Sequence, residues 1–317
     1  MTTIKKWFTF IVKSIKLLLF PLIIVSKKII IPGFEGVPLY DVAIFFWRGI
    51  QKGSIQTRSR ALAFTFFLAL FPGILFLFTL IPYLPIEGFQ DQMLLLIQTL
   101  LPPITYEVIS ETITDVIKRQ RGGLLSIGFI TALIFTTDGV NTMIKGFNKS
   151  YHVSEGKSTM QQWLSSLYLT FVLTLLIILA IALLVTNEVL LQYLNNQGIL
   201  NNETPVVLLQ IGKWIILLLL SFTAISSIYY FGTAKIKGYK FISAGSTLAT
   251  ILVILTSLAF NYFISNFGQY NKLYGSIGTL LIILLWIYFN ALQLIIGFEL
   301  NGSIESAKSN QKKGVLD

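Results

Sequence analysis

From Leu273 to Phe298 the chain carries no charged residue, and few folds can accommodate such a stretch. It is longer than the ~20 apolar residues a helix needs to cross the hydrocarbon core of a bilayer. Within it, Trp286, Asn290, Gln293 and Gly297 recur at offsets of four, three and four, which places them on one stripe of an α-helix. An amide facing acyl chains would lose its hydrogen bonds, so the stripe is expected to turn toward other helices. The expected fold class is an all-α, polytopic membrane helical bundle.

Composition decides how much of the chain shares this character. Of 317 residues 54% are hydrophobic and only 12% charged, whereas a soluble domain carries about 25% charged residues. There is no cysteine and one histidine, His152, which excludes disulfides, thiolate metal sites, cysteine nucleophiles and multi-histidine metal centres. No Gly-x-x-x-x-Gly-Lys-[Ser/Thr] phosphate loop occurs, and nothing in the sequence calls for a cofactor.

Six crossings are expected, over about 61–84, 124–147, 163–186, 206–231, 241–264 and 274–300, forming a transmembrane domain over 61–300. A basic region, 1–60, precedes it and a short basic tail, 301–317, follows. The first 31 residues interleave Lys5, Lys6, Lys13, Lys16, Lys27 and Lys28 with apolar side chains, the pattern of an amphipathic helix on an anionic leaflet. A cleaved signal peptide is the rival reading and lacks a small-x-small site. From Asp41 to Arg60 a second interfacial helix is expected to lead into the first crossing. Residues 85–123 form the one long segment outside the lipid, read as two amphipathic helices parted by Pro102 and Pro103, with Glu107, Glu111 and Asp115 on a solvated face.

Nineteen of the 24 Lys and Arg residues fall on one side of these crossings. By the positive-inside rule both termini are expected in the cytoplasm. The net charge of +10 is then orientation and lipid attraction, and no nucleic-acid partner is called for.

Asp138 is the only acid well inside a crossing, where a carboxylate costs roughly 2.5–3.5 kcal/mol. Such groups face a bundle interior or water, so Asp138, Asn141, Asn290 and Gln293 form a candidate intramembrane polar site; bonding between helices is the plainer role for the amides. Pro72 and Gly73 are a candidate hinge, because Pro72 removes a helical hydrogen bond in mid-span. Arg58, Arg60 and Glu299, at span ends, are candidate lipid-headgroup contacts.

Several of these segments resemble one family. Ala61-Leu62-Ala63-Phe64 leading to Leu70-Phe71-Pro72, Gly146-Phe147-Asn148-Lys149-Ser150-Tyr151 and Ser243-Ala244-Gly245 are similar in order and spacing to the YihY/virulence factor BrkB family. So are Tyr274-Gly275-Ser276, Leu285-Trp286-Ile287-Tyr288 and Gly297-Phe298-Glu299-Leu300. The resemblance covers about Trp47 to Asn301 and implies a six-helix bacterial inner-membrane protein. Asp138 departs from the family's pattern, and the basic extension before Pro32 lies outside it. Members have carried the label ribonuclease BN, yet phosphodiester hydrolysis calls for metal-held water or a His, Lys and carboxylate constellation, and here the acids are scattered around a single histidine.

The resulting expectation is a non-enzymatic, transporter-like or lipid- and envelope-handling bundle. Its partners are membrane lipids and a lipophilic or envelope-related substrate, with a homo-oligomer left open. A non-catalytic scaffold for envelope partners is the alternative, and a ribonuclease or other hydrolase ranks last.

Overall fold

In the computed structural model the described residues are 24–83, 88–100, 103–150, 157–196, 203–233, 240–266, 268–312 and 314. The expected helix over the first 31 residues therefore lies largely outside the described residues.

Proline and glycine set the limits of the first elements. Pro38 caps helix α1 (Leu39–Lys52), which opens with Asp41 and closes with Lys52, charges that suit the two ends of the helix dipole. The single helix expected from Asp41 to Arg60 is broken at Gly53–Ser54, where Ser54 takes a left-handed φ of 49°. A methyl group on Gly53 would lie 2.9 Å from Nη2 of Arg58 and 3.2 Å from Oε1 of Glu299, so the turn is packed too closely for a side chain. Helix α2 (Ile55–Leu80) then begins the first span and places Arg58 and Arg60 in its opening turns. It runs without interruption through Pro72, and a methyl at Gly73 would meet nothing within 4 Å.

Beyond a 3-10 turn, Ile81–Tyr83, come two shorter helices, α3 (Phe89–Leu100) and α4 (Pro103–Lys118). Pro103 occupies the first helical position, where its missing N–H costs nothing. Ile97 and Ile117 pack on Ile81 to form a small core of their own, and Lys118 pairs with Asp91 across the two helices at 2.9 Å. Glu107 and Glu111 are exposed and Asp115 is half-buried, Asp115 pairing with Arg119 and Arg121.

The remaining spans are α5 (Gly122–Asn148), α6 (Thr159–Asn196), α7 (Glu203–Gly232), α8 (Ala244–Asn266) and α9 (Gly268–Lys312). Six helices are long and apolar enough to cross a membrane. They close a ring in the order α2, α5, α6, α7, α8, α9 and back to α2. The tail expected from residue 301 instead continues α9 to Lys312, because Leu300, Ile304 and Ala307, spaced four and three apart, bury against Phe34, Val37, Val42 and Phe45.

The core is concentrated at one end of the ring. Leu62 and Ala63, Met143 and Phe147, Leu169, Ile228 and Tyr229, Ala249, Ile295 and Phe298 meet there, one or two residues from each span. Phe147 stacks on Phe298 with ring centroids 4.2 Å apart. α8 and α9 touch backbone to backbone: a methyl on Gly297 would lie 2.6 Å from the Gly245 carbonyl oxygen and 2.8 Å from Cβ of Ala249. The far halves of the spans bury little against one another, leaving Ile177, Leu208, Trp214, Leu258 and Tyr262 exposed. The packed end is also the basic end, where Arg58, Lys145, Lys149 and Lys157 sit.

Candidate functional site at the basic end

The break at Gly53–Ser54 turns the start of α2 inward, and Arg58, one turn later, reaches across the bundle. Its guanidinium pairs with Glu299 of α9 and donates from Nη1 to the carbonyl of Gly146, at the end of α5, at 2.9 Å. The second oxygen of Glu299 accepts from Ser150 Oγ at 2.9 Å. The Arg58 side chain is 6% exposed and that of Glu299 0%, so this is an ion pair inside protein. Burying two charges is repaid only by close geometry and further hydrogen bonds, and three helices supply them here. Nε of Arg58 is buried without a partner.

Arg58 and Glu299 were expected at the headgroups, and the structure corrects both: their charges satisfy each other in the interior. Arg60, two residues on, is exposed. The intramembrane polar set does not assemble either. Asp138 is exposed on the outer face of α5 and makes no hydrogen bond or salt bridge among the described residues, which corrects the expectation of an inward-facing acid. Asn141 accepts a 2.6 Å bond from Gln162 of α6, and Gln162 in turn accepts from Asn148. Gln293 donates to Thr256 of α8. Asn290 turns back to the carbonyl of Trp286 in its own helix, at 2.8 Å. Two of these amides join helices and none of the four meets another.

A cavity of about 480 Å³ lies beside the ion pair, lined by Lys52, Gly53, Ser54, Thr57, Arg58, Ala61, Thr142, Lys145, Gly146 and Lys149. Among the described residues four cations and no acid line it. Two helix stripes leave it along the paired spans. On α2, Thr57 and Ala61 are followed at offsets of three, four and three by Phe64, Leu68 and Phe71, all exposed. On α5, Lys149, Lys145, Thr142, Asp138 and Ile134 follow at offsets of four, three, four and four. The two helices run antiparallel and close together: a methyl on Gly139 would lie 3.0 Å from the Phe66 ring, and one on Gly128 3.2 Å from Cα of Phe76. A polar, basic chamber thus continues, past Asp138 on α5, into an apolar, outward-facing surface.

Lys157 closes the neighbouring corner, donating to Ser165 Oγ at 2.8 Å and to the carbonyl of Phe231, near the end of α7. Burial holds its ammonium below the ordinary lysine range. Among the described residues no group of three or more His, Cys, Asp or Glu is placed to hold a metal ion; His152 lies outside them.

The cavity's side chains were missed as a group. In the sequence Lys52, Lys145 and Lys149 are three of the nineteen basic residues on one side of the crossings, and the one local signal is the four-residue spacing of Lys145 and Lys149 at the end of an apolar helix.

Fold and site together define an all-α, multi-pass membrane protein with a basic chamber at one end of its bundle. The profile of the family described as virulence factor BrkB matches residues 46–315, and the chain belongs to that family. It is 28% identical over 253 residues to the putative ribonuclease-like protein YfkH of Bacillus subtilis, covering 80% of this chain and 91% of the relative. It is 20% identical to a UPF0761 membrane protein of Haemophilus influenzae, covering 85% of this chain and 97% of the relative. A UPF0761 membrane protein of Psychromonas ingrahamii is 22% identical over 86% of this chain and 90% of its own length. No solved structure matches the chain.

Proposed function

We propose that this protein handles an amphiphilic envelope component, a lipid or lipid-linked molecule, at the cytoplasmic face of a bacterial inner membrane. One observation carries the reading: the basic chamber of Lys52, Arg58, Lys145 and Lys149 opens onto two stripes that become apolar and exposed at Phe64, Leu68, Phe71 and Ile134. That is the pattern of an anionic head joined to acyl chains, with the head among cations and the chains along helices already in lipid. Nineteen of 24 basic residues on one side of the crossings supports placing the chamber at the cytoplasm. The sealed core at that end and the looser far half suit a protein that takes its ligand laterally from one leaflet. Hydrolysis has less support: YfkH is named ribonuclease-like, but among the described residues no carboxylate or histidine lines the chamber to act as a base.

Native mass spectrometry of the protein released from membrane-derived nanodiscs tests this reading. Wild type should retain a discrete lipid, and Ala61→Trp with Thr142→Trp, which fills the chamber from its α2 and α5 walls, should lose it. Exchange of bulk phospholipid alone, equal in both proteins, would end it.

A scaffold role is the second reading, favoured by the self-contained packing of α3 and α4 on Ile81. Deletion of residues 88–120 should then abolish function while the bundle stays folded.

A further inference from the structure

We infer that the basic chamber is a phosphate site, built for a terminal phosphate rather than for a carboxylate or a phosphodiester. The inference rests on the lipid-handling reading for the source of the group and on the chamber's own chemistry for its identity. Charge is the first argument. Glu299 answers Arg58, but among the described residues Lys145 and Lys149 make no salt bridge and no acid lines the wall. Against Lys145 and Lys149, one negative charge leaves the chamber net positive, whereas a terminal phosphate brings about −1.5 to −2 and three acceptor oxygens.

Donors are the second argument. α2 begins at the chamber with Ser54 and Thr57 in its lining, Ser54 makes no side-chain capping bond, and the first turn contains no acid. Its opening N–H groups are therefore unspent, and such a helix start favours anions. Arg58 completes the wall as a nine-tenths buried cation held in place by Glu299 and the Gly146 carbonyl. The hydroxyls of Ser54, Thr57 and Thr142 add neutral donors. At about 480 Å³ the chamber is larger than a phosphate alone and has room for the group that links it to a chain.

Two sources share this chemistry, a lipid headgroup and soluble phosphate, and one experiment separates them. Full-length protein in phosphatidylcholine nanodiscs is titrated with phosphatidate, phosphatidylglycerol and diacylglycerol of equal acyl length, and retention is read by native mass spectrometry. Wild type should hold phosphatidate at least about tenfold more strongly than phosphatidylglycerol. Lys145→Gln with Lys149→Gln, at exposed positions outside the core, should reduce the preference to about twofold or less. Lys145→Glu should abolish it, and Lys118→Gln, on α4, should leave it intact. Inorganic phosphate that displaces phosphatidate, and raises the melting temperature more than phosphatidate does, would support the site and assign it to a soluble ligand. Equal retention of phosphatidate and phosphatidylglycerol in wild type, or a preference that survives both lysine variants, overturns the inference. Lipid held firmly without regard to phosphate would remove the phosphate site and leave lipid handling standing. Binding of inorganic phosphate with no discrete lipid held would do the reverse.

Discussion

Removing Glu299 should be among the most destructive single changes available to this bundle. Its two oxygens hold Arg58 and Ser150, and its side chain is wholly enclosed. Glu299→Ala leaves a buried guanidinium with no counter-charge, and Lys52, Lys145 and Lys149 around the adjoining chamber make that charge harder to keep. Breaking a buried pair from one side costs about 3–5 kcal/mol. Glu299→Gln keeps the shape and one acceptor, so its cost should be smaller, about 1.5–3 kcal/mol. Arg58→Met with Glu299→Leu removes both charges together and should cost far less than the two single truncations summed, since buried pairs are often replaceable by apolar groups at little cost. Unfolding of the purified protein by SDS in mixed micelles, followed by tryptophan fluorescence, gives all the terms of this double-mutant cycle. A cost under about 1 kcal/mol for Glu299→Ala, the range of an exposed pair, would refute the burial argument, as would a double variant whose cost equals the sum.

The other expectations use the same unfolding assay. Asp138→Asn, on the exposed face of α5, should change stability by no more than about 0.5 kcal/mol, whereas Gln162→Leu, which strands the amides of Asn141 and Asn148, should cost about 1–3 kcal/mol. Gly245→Ala places a methyl against the Gly297 carbonyl and 2.6 Å from the Asn301 side chain; it should cost at least about 1–3 kcal/mol by prising α8 from α9. Lys157 gives a pH dependence. Because its folded pKa is lowered, the penalty for burying its charge is fully present at pH values below that folded pKa. The penalty is relieved as pH rises through the folded pKa toward the unfolded value of about 10.4. Wild type should therefore gain stability relative to Lys157→Gln across that alkaline window, and parallel curves would count against it.

How much of this could be read in advance depends on the range of the interaction concerned. The six spans and the two helices around Pro103 were legible because hydropathy and proline chemistry act locally. The break before α2 was not: Gly53–Ser54 looks unremarkable until Arg58 is seen to need the space a side chain would occupy. Glu299, at the end of an apolar run, looked like an interfacial charge, since nothing local announces a partner 241 residues away. The continuation of α9 was readable in the spacing of Leu300, Ile304 and Ala307, but polar neighbours such as Ser303, Glu305 and Lys308 obscured it. Asp138 misled for the opposite reason. The cost of an intramembrane acid argues for burial only if no polar surface lies within reach, and it sits on the stripe just below Thr142 and the basic chamber.

The central claim is that an amphiphile lies along α2 and α5 with its head in the chamber, and site-specific photo-crosslinking in living cells tests it most directly. A photoreactive residue at Phe64, on the stripe below the chamber and 60% exposed, is compared with one at Phe171, on α6 and 70% exposed. The expected result is a discrete lipid adduct at position 64, reduced by Lys145→Gln with Lys149→Gln, and only bulk phospholipid at position 171. The same lipid mixture at both positions, unaffected by the lysines, would contradict it.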